Sequence, residues 1–172
     1  MNASGSAMPA IAVGILVGDG AWPSRQKLRA IARRAIAAAA ARAKPALAPE
    51  PEVSLLFTSD ARMRELNLRY RGKNRPTNVL SLPAAPVLAG RLGPPLGDIV
   101  FAEETIREEA ADQGLAFEDH LTHLIVHGFL HLIGYDHERE TEALAMEGLE
   151  VAILGELGIS DPYAASGATQ RK

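Results

Sequence analysis

Residues 117–137 read Phe117-Glu-Asp-His120-Leu-Thr-His123-Leu-Ile-Val-His127-Gly128-Phe-Leu-His131-Leu-Ile-Gly134-Tyr-Asp-His137. Leu121, Leu124, Ile125, Phe129, Leu130 and Leu132 surround most of the circumference of a helix over 117–132, the pattern of a helix buried in a core rather than laid on one. Gly134 supplies the left-handed residue that stops such a helix and turns the chain back. All five histidines of the chain lie in this stretch. His127 and His131, four residues apart, project from one helix face about one turn apart, as two imidazoles must to share an ion. His137 follows six residues later, beyond the break, where the turned chain can return a third imidazole to the same place. Three nitrogens with an open fourth position describe a catalytic zinc site rather than a structural one. His123 also shares the face, but His123 and His131 are two turns apart, roughly 12 Å at the helical rise, too far for one ion. His123 is left to packing, support of a ligand or substrate contact, and His120 is read as surface.

Outward from this helix, the chain alternates short apolar runs with helical patterns. Ile11–Gly18, Val53–Thr58, Asn78–Leu82 and Ile99–Ala102 read as strands. Ser24 opens a helix to about Arg42 with Leu28, Ile31, Ala35 and Ile36 inward, and Ser59 or Asp60 caps a second to about Leu68. A third helix spans 103–112, and a last one, about 138–157, turns Leu144, Leu149, Val151 and Leu154 inward. Arg71–Pro76 and 83–96 are punctuated by Gly and Pro and read as loops. The order β-α-β-α-β-β-α-α-α predicts an α/β (α+β) fold: a small mixed four-stranded sheet packed by about five helices, one a zincin-like metal helix. Residues 1–9 are expected to be disordered, 10–158 to form a single catalytic domain, and 159–172 to be a flexible tail.

There is no cysteine among the 172 residues, which excludes disulfides and thiolate zinc sites. No apolar run approaches the roughly 18 residues that span a bilayer, and Ile11–Val17 lacks a basic leader, so a cytoplasmic protein without membrane contact is expected. The net charge of −3 conceals an asymmetry: residues 1–80 carry 13 Lys/Arg against 5 Asp/Glu, and residues 81–172 carry 5 against 16. Arg25, Lys27, Arg29, Arg33, Arg34, Arg42 and Lys44 form one basic cluster, equally consistent with a solvated helix face and a phosphate-binding one. Arg62, Arg64, Arg69, Arg71, Lys73 and Arg75 form a second.

The ligand spacing and glycine match the metzincin pattern His-Glu-x-x-His-x-x-Gly-x-x-His, but Gly128 stands where those proteases carry their general base. That points away from peptide cleavage by that route and towards a phosphodiester, whose anionic oxygens a cation and an arginine neutralise together. Arg71 is suited to that role by its planar, bidentate donors. Asp98, Glu103 and Asp136 remain as candidate bases for the alternative, a metallopeptidase or amidase. Asp136 reads equally as an acceptor for a ligand imidazole and as a helix N-cap; Asp98 reads as a turn residue. Tyr70 and Tyr135 are compatible with base stacking or with the core.

Over 53–156 the chain resembles the YbeY family. The resemblance is carried by Glu65-Leu66-Asn67, Tyr70-Arg71-Gly72-Lys73, Pro76-Thr77-Asn78-Val79-Leu80-Ser81, Leu96-Gly97-Asp98-Ile99 and above all by 127–137, close to HGxLHLxGYDH. Asn74 and Leu82 depart from that pattern, as does the Pro-rich, acid-free loop at 83–96, and are expected to alter packing or substrate contacts. The resemblance implies a single-strand-preferring endoribonuclease that uses one zinc ion. It implies a role in maturing the 3′ end of small-subunit rRNA and in ribosome quality control. RNA and the ribosome or its small subunit are then the partners, with no DNA expected. His127, His131 and His137 match the family's metal ligands and Arg71 its functional arginine. A non-catalytic ribosome assembly factor with a zinc-stabilised fold is a further alternative.

Overall fold

The computed structural model of the chain describes residues 7–84 and 89–164; the expected disorder of residues 1–6 and the end of the tail lie outside them. The elements are β1 (Ala12–Val17), α1 (Arg25–Ala43), β2 (Glu52–Thr58), α2 (Asp60–Arg71), β3 (Val79–Pro83), β4 (Pro95–Ala102), α3 (Glu103–Gln113), α4 (Phe117–Leu132) and α5 (Glu140–Glu156). The sheet order is β1-β2-β4-β3, with the first three strands parallel and β3 antiparallel at the edge. The expected order of elements and the mixed four-stranded sheet are both present.

Alternation along β4 sorts the core into two layers. Ile99 and Phe101 join Val53, Leu55 and Phe57 against α1, α4 and α5, while Val100 and Ala102 join Leu80, Met63 and Leu66 under α2. Ser24 and Ser59 cap α1 and α2 through their hydroxyls, accepting from the N–H of Lys27 and Arg62. α2 runs three residues beyond its expected end, so Arg71 is the last helical residue and Gly72 the left-handed cap.

The region read as a loop over 83–96 is shorter than expected. β3 continues to Pro83, and β4 starts at Pro95, since proline is tolerated at the first position of a strand. β4 pairs through a bulge: Glu52 faces Pro95 and Val53 faces Gly97. Gly97 has φ 134°, and a Cβ there would meet the Leu82 carbonyl, Leu132 Cδ2 at 2.9 Å and the Ala84 nitrogen at 3.0 Å. Gly97 and Asp98 are therefore strand residues, not a turn before the strand. Leu82 is partly buried against the α2 layer, and Asn74 accepts a 2.8 Å hydrogen bond from Arg64.

Both outer strands present carbonyls that the sheet leaves unpaired, and an arginine takes one on each side. Arg25 donates to Ile15 of β1 at 2.7 Å, and Arg71 donates to Ser81 of β3 at 3.1 Å. In α5, Met146, Glu150, Ile153 and Leu154 are buried, whereas Leu144, expected inward, is 63% exposed. The segment assigned to the tail is described to residue 164; within it Ile159 packs against the core. Among the described residues, no helix is long and apolar enough to cross a membrane.

Candidate metal centre

The turn that brings the third histidine back is a Schellman motif. Tyr135 N–H donates to Leu130 C=O at 3.0 Å, Gly134 N–H donates to His131 C=O at 3.2 Å, and Gly134 has φ 105°. His137 thereby stands beside the two helical imidazoles, its ring centroid 4.9 Å from that of His131 and 5.8 Å from that of His127. Nε2 of His127 and Nε2 of His131 are 3.2 Å apart, and one donor nitrogen from each of the three rings lies within 4.8 Å of the others. Two nitrogens bound at 2.0–2.1 Å on a tetrahedral ion lie about 3.3 Å apart, so this pair already has the separation that zinc requires.

The tautomers agree. His127 Nδ1 donates to Glu150 Oε1, which leaves Nε2 as a lone pair aimed at its partner. The His131 imidazolium is disfavoured: burial first, then the neighbouring His127 and His137, push its pKa below the ordinary value. The donor set thus fits a divalent cation of borderline softness.

Sequence reasoning missed Glu150. Its carboxylate is fully buried in α5 and is hydrogen-bonded to His127 and, through Oε2, to the Tyr163 hydroxyl. Burial alone would raise its pKa; hydrogen bonds from His123, His127 and Tyr163 outweigh that and hold it down to about 2. The carboxylate is therefore charged at neutral pH. His123, His127 and Glu150 also form a cluster of ligand type, but the direct His127–Glu150 hydrogen bond leaves no space for an ion between them. His123 belongs to this hydrogen-bonded group, with Nε2 3.3 Å from the Tyr163 oxygen. His120 is not on the surface: it is buried and lies 3.3 Å from Glu109, because α4 is packed on the side that His120 faces as well. Asp136 neither caps α5 nor closely bonds an imidazole of the cluster. It accepts the N–H of His137 at 2.7 Å, and its carboxylate is 3.6 Å from His137 Nδ1.

Gly128 faces away from the imidazoles. A Cβ there would lie 2.7 Å from Ile99 Cγ2 and 3.2 Å from Ser81 Oγ, so α4 rests almost directly on β3 and β4. Ser81 Oγ donates to the Gly128 carbonyl at 3.0 Å. Through Ser81, Arg71 is tied to the strand that packs on the histidine-bearing helix α4. Of the three candidate bases of a peptidase, Asp136 lies beside His137, with its carboxylate 3.6 Å from Nδ1, and the other two are poorly placed. Asp98 shares its face of β4 with Val100, opposite α4, and Glu103 is paired with Arg107 at 2.5 Å.

The two basic clusters differ. In the first, Arg25 and Arg34 bond backbone carbonyls, and Lys27 and Arg42 pair with Glu118 and Glu156. Its charges serve mainly to join α1 to its neighbours. In the second, Arg62 alone is paired with a carboxylate among the described residues. The others run from Arg64 in α2, which bonds Asn74, to the end of that helix and the loop towards β3, with Tyr70 51% exposed beside Arg69.

A family profile described as Endoribonuclease YbeY matches residues 21–158. A Rhizobium johnstonii protein named Endoribonuclease YbeY is 49% identical over 162 residues, covering 91% of this chain and 95% of the relative. A Rhizobium meliloti protein of the same name is 51% identical, covering 91% and 96%. The solution structure of TM1509 from Thermotoga maritima superimposes with a TM-score of 0.53 at 25% identity, covering 87% of this chain and 97% of that one.

Proposed function

Because this chain belongs to the YbeY endoribonuclease family, we propose that it cleaves single-stranded RNA at a one-zinc centre held by His127, His131 and His137, with Arg71 as the catalytic arginine. The observation that carries the reading is the convergence of three imidazoles, two with Nε2 atoms 3.2 Å apart and one fixed in tautomer by a buried carboxylate. A zinc ion held by these three imidazoles would supply Lewis acidity towards a phosphodiester oxygen and would lower the pKa of a water.

The chain's own residues do the rest. Glu150 keeps the His127 ring turned so that Nε2 faces His131 and His137. Arg71 holds a guanidinium at the edge of β3, where its unused N–H groups suit two oxygens of one phosphate. Arg69, Lys73 and Arg75 add positive charge that draws the RNA backbone in, an attraction that weakens with salt. Gly128 contributes no base, and Asp98 and Glu103 are turned elsewhere, which leaves Asp136, already accepting the His137 N–H, as the one acidic candidate for the peptidase alternative.

On this reading residues 10–158 act as one catalytic unit with α4 as a zincin-like metal helix. The substrate is rRNA at the 3′ end of the small-subunit species, and the protein works on the ribosome or its small subunit in the cytoplasm, in maturation and quality control. Cleavage of single-stranded RNA by the wild-type protein, His131→Ala and Arg71→Ala tests the core of it. Loss of cutting in both variants is expected, and equal cutting by all three refutes the site. A preparation that never cuts, yet loses its fold on chelation, would instead indicate an assembly factor with a structural zinc. Analysis of the product ends then separates attack by water from attack by the 2′-hydroxyl, which leaves a cyclic phosphate.

A further inference from the structure

Beyond α5 the chain turns back towards α4, bringing Tyr163 against His123 and Glu150. Gly158, with φ 75°, ends the helix in a second Schellman turn, with Ile159 N–H donating to Leu154 C=O at 2.8 Å. Asp161 then accepts the N–H of Tyr163 at 2.8 Å, closing a short turn around Pro162. Together these turns insert the Tyr163 ring edge-on against His123, with centroids 5.6 Å apart, and bring its hydroxyl to Glu150 Oε2.

Glu150 is a carboxyl group with no access to water. Such a group is tolerated only when its oxygens are hydrogen-bonded. Oε1 is taken by His127 and Oε2 by Tyr163, while His123 stands 3.5 Å from Oε2. Without the phenol, the carboxylate keeps one close donor and is free to rotate towards His123. His127 would then lose the fixed acceptor that sets both its tautomer and its ring plane.

We propose that Tyr163 is a positioning residue of the metal centre: its phenol anchors the Glu150 carboxylate, which in turn orients the His127 imidazole. Tyr163 touches no substrate and acts through two other side chains. The proposal rests on His127, His131 and His137 being the ligands. It adds that the segment after α5 helps to set metal affinity, a role that no feature of the histidine motif contains.

The test measures the zinc affinity of the full chain by competition with a chromogenic chelator, together with the visible absorption band of the cobalt-substituted protein. Partners of metal-ligating histidines contribute about 10–100-fold in affinity. Tyr163→Phe removes one hydroxyl, one step further out, and is expected to weaken zinc binding by about 10-fold and to shift the cobalt band. Asp161→Ala, which loosens the turn and leaves the phenol in place, should give a smaller loss of the same kind. Wild-type affinity with an unchanged band in Tyr163→Phe overturns the proposal, even if the metal-free variant unfolds at a lower temperature, since that pattern belongs to a purely structural tyrosine. If Tyr163→Phe does not fold, Asp161→Ala decides by the same two readouts. His131→Ala separates the two levels. Undiminished zinc binding in that variant refutes the ligand set itself, whereas its loss beside an unaffected Tyr163→Phe refutes the role of Tyr163 alone.

Discussion

Restoring the protease glutamate at position 128 should damage the fold and confer no peptidase activity. The starting point is Gly128→Ala. The added methyl would lie 2.7 Å from Ile99 Cγ2 and 3.4 Å from Cδ1, where carbon atoms normally sit 3.5–4.0 Å apart. Ile99 is fully buried and β-branched, so its side chain has little freedom to withdraw. Ser81 Oγ, at 3.2 Å from the new methyl, is held by its bond to the Gly128 carbonyl. Overpacking of this kind costs about 1–3 kcal/mol, and the rigid neighbours place it near the top of that range. Alanine recovers about 1 kcal/mol through its better helix propensity. The net loss is therefore about 2 kcal/mol. With a urea m-value of about 2 kcal/mol/M for a chain of this size, the midpoint should fall by roughly 1 M. Glutamate adds a carboxylate without a partner in the same gap, several kcal/mol more, against a total stability typically about 5–15 kcal/mol. Gly128→Glu should be unfolded or insoluble. Urea unfolding followed by far-ultraviolet circular dichroism, in excess chelator so that metal binding does not contribute, measures both. A stable Gly128→Glu protein that hydrolyses casein would refute the claim that this position faces the sheet.

Gly97→Ala should be more severe than Gly128→Ala, because its Cβ meets main-chain atoms of Leu82 and Ala84, at the end of β3, and its φ of 134° strains any L side chain. A loss of at least about 3 kcal/mol is expected from the strain and overlap together, read in the same urea titration. Lys73→Ala should weaken single-stranded RNA binding and reduce the slope of log affinity against log salt by about 0.7, whereas Lys27→Ala, whose partner is Glu118, should leave the slope unchanged. Glu109 governs an acid limb of stability. Burial would raise its pKa, but hydrogen bonds from His120 and Asn78 prevail and lower it below 4.5. A carboxyl depressed in the folded state stabilises above its unfolded pKa, and that contribution is lost as pH falls from about 4.5 through the folded value. Glu109→Gln should flatten thermal stability against pH in that acid window and lower it at pH 6–8, where the wild-type carboxylate's contribution is fully present.

The elements most legible from sequence were those with the strongest pattern. The bounds of α4 follow from its apolar circumference and Gly134, and the three imidazoles converge as their spacing requires. What escaped was long-range. Glu150 drew no reading from the sequence. Yet it falls on the stripe 146, 150, 153, 154, whose other members are buried, and a glutamate on such a stripe needs a partner. That signal was available; the partner, on another helix, was not. Leu144 was misplaced for the matching reason, since it lies off that stripe. Tyr163 carried no periodicity at all. The early start of β4 was hidden because two prolines and a bulge mimic a loop.

On the function proposed above, Arg71 has two jobs that compete. While it donates to the Ser81 carbonyl, it blocks the edge of β3, as Arg25 blocks β1, and discourages a neighbouring chain from adding a strand. An incoming phosphate asks for the same guanidinium. Substrate arrival and exposure of the sheet's margin are therefore linked, and a variant chosen to weaken nuclease action at this position removes a safeguard against self-association along with it.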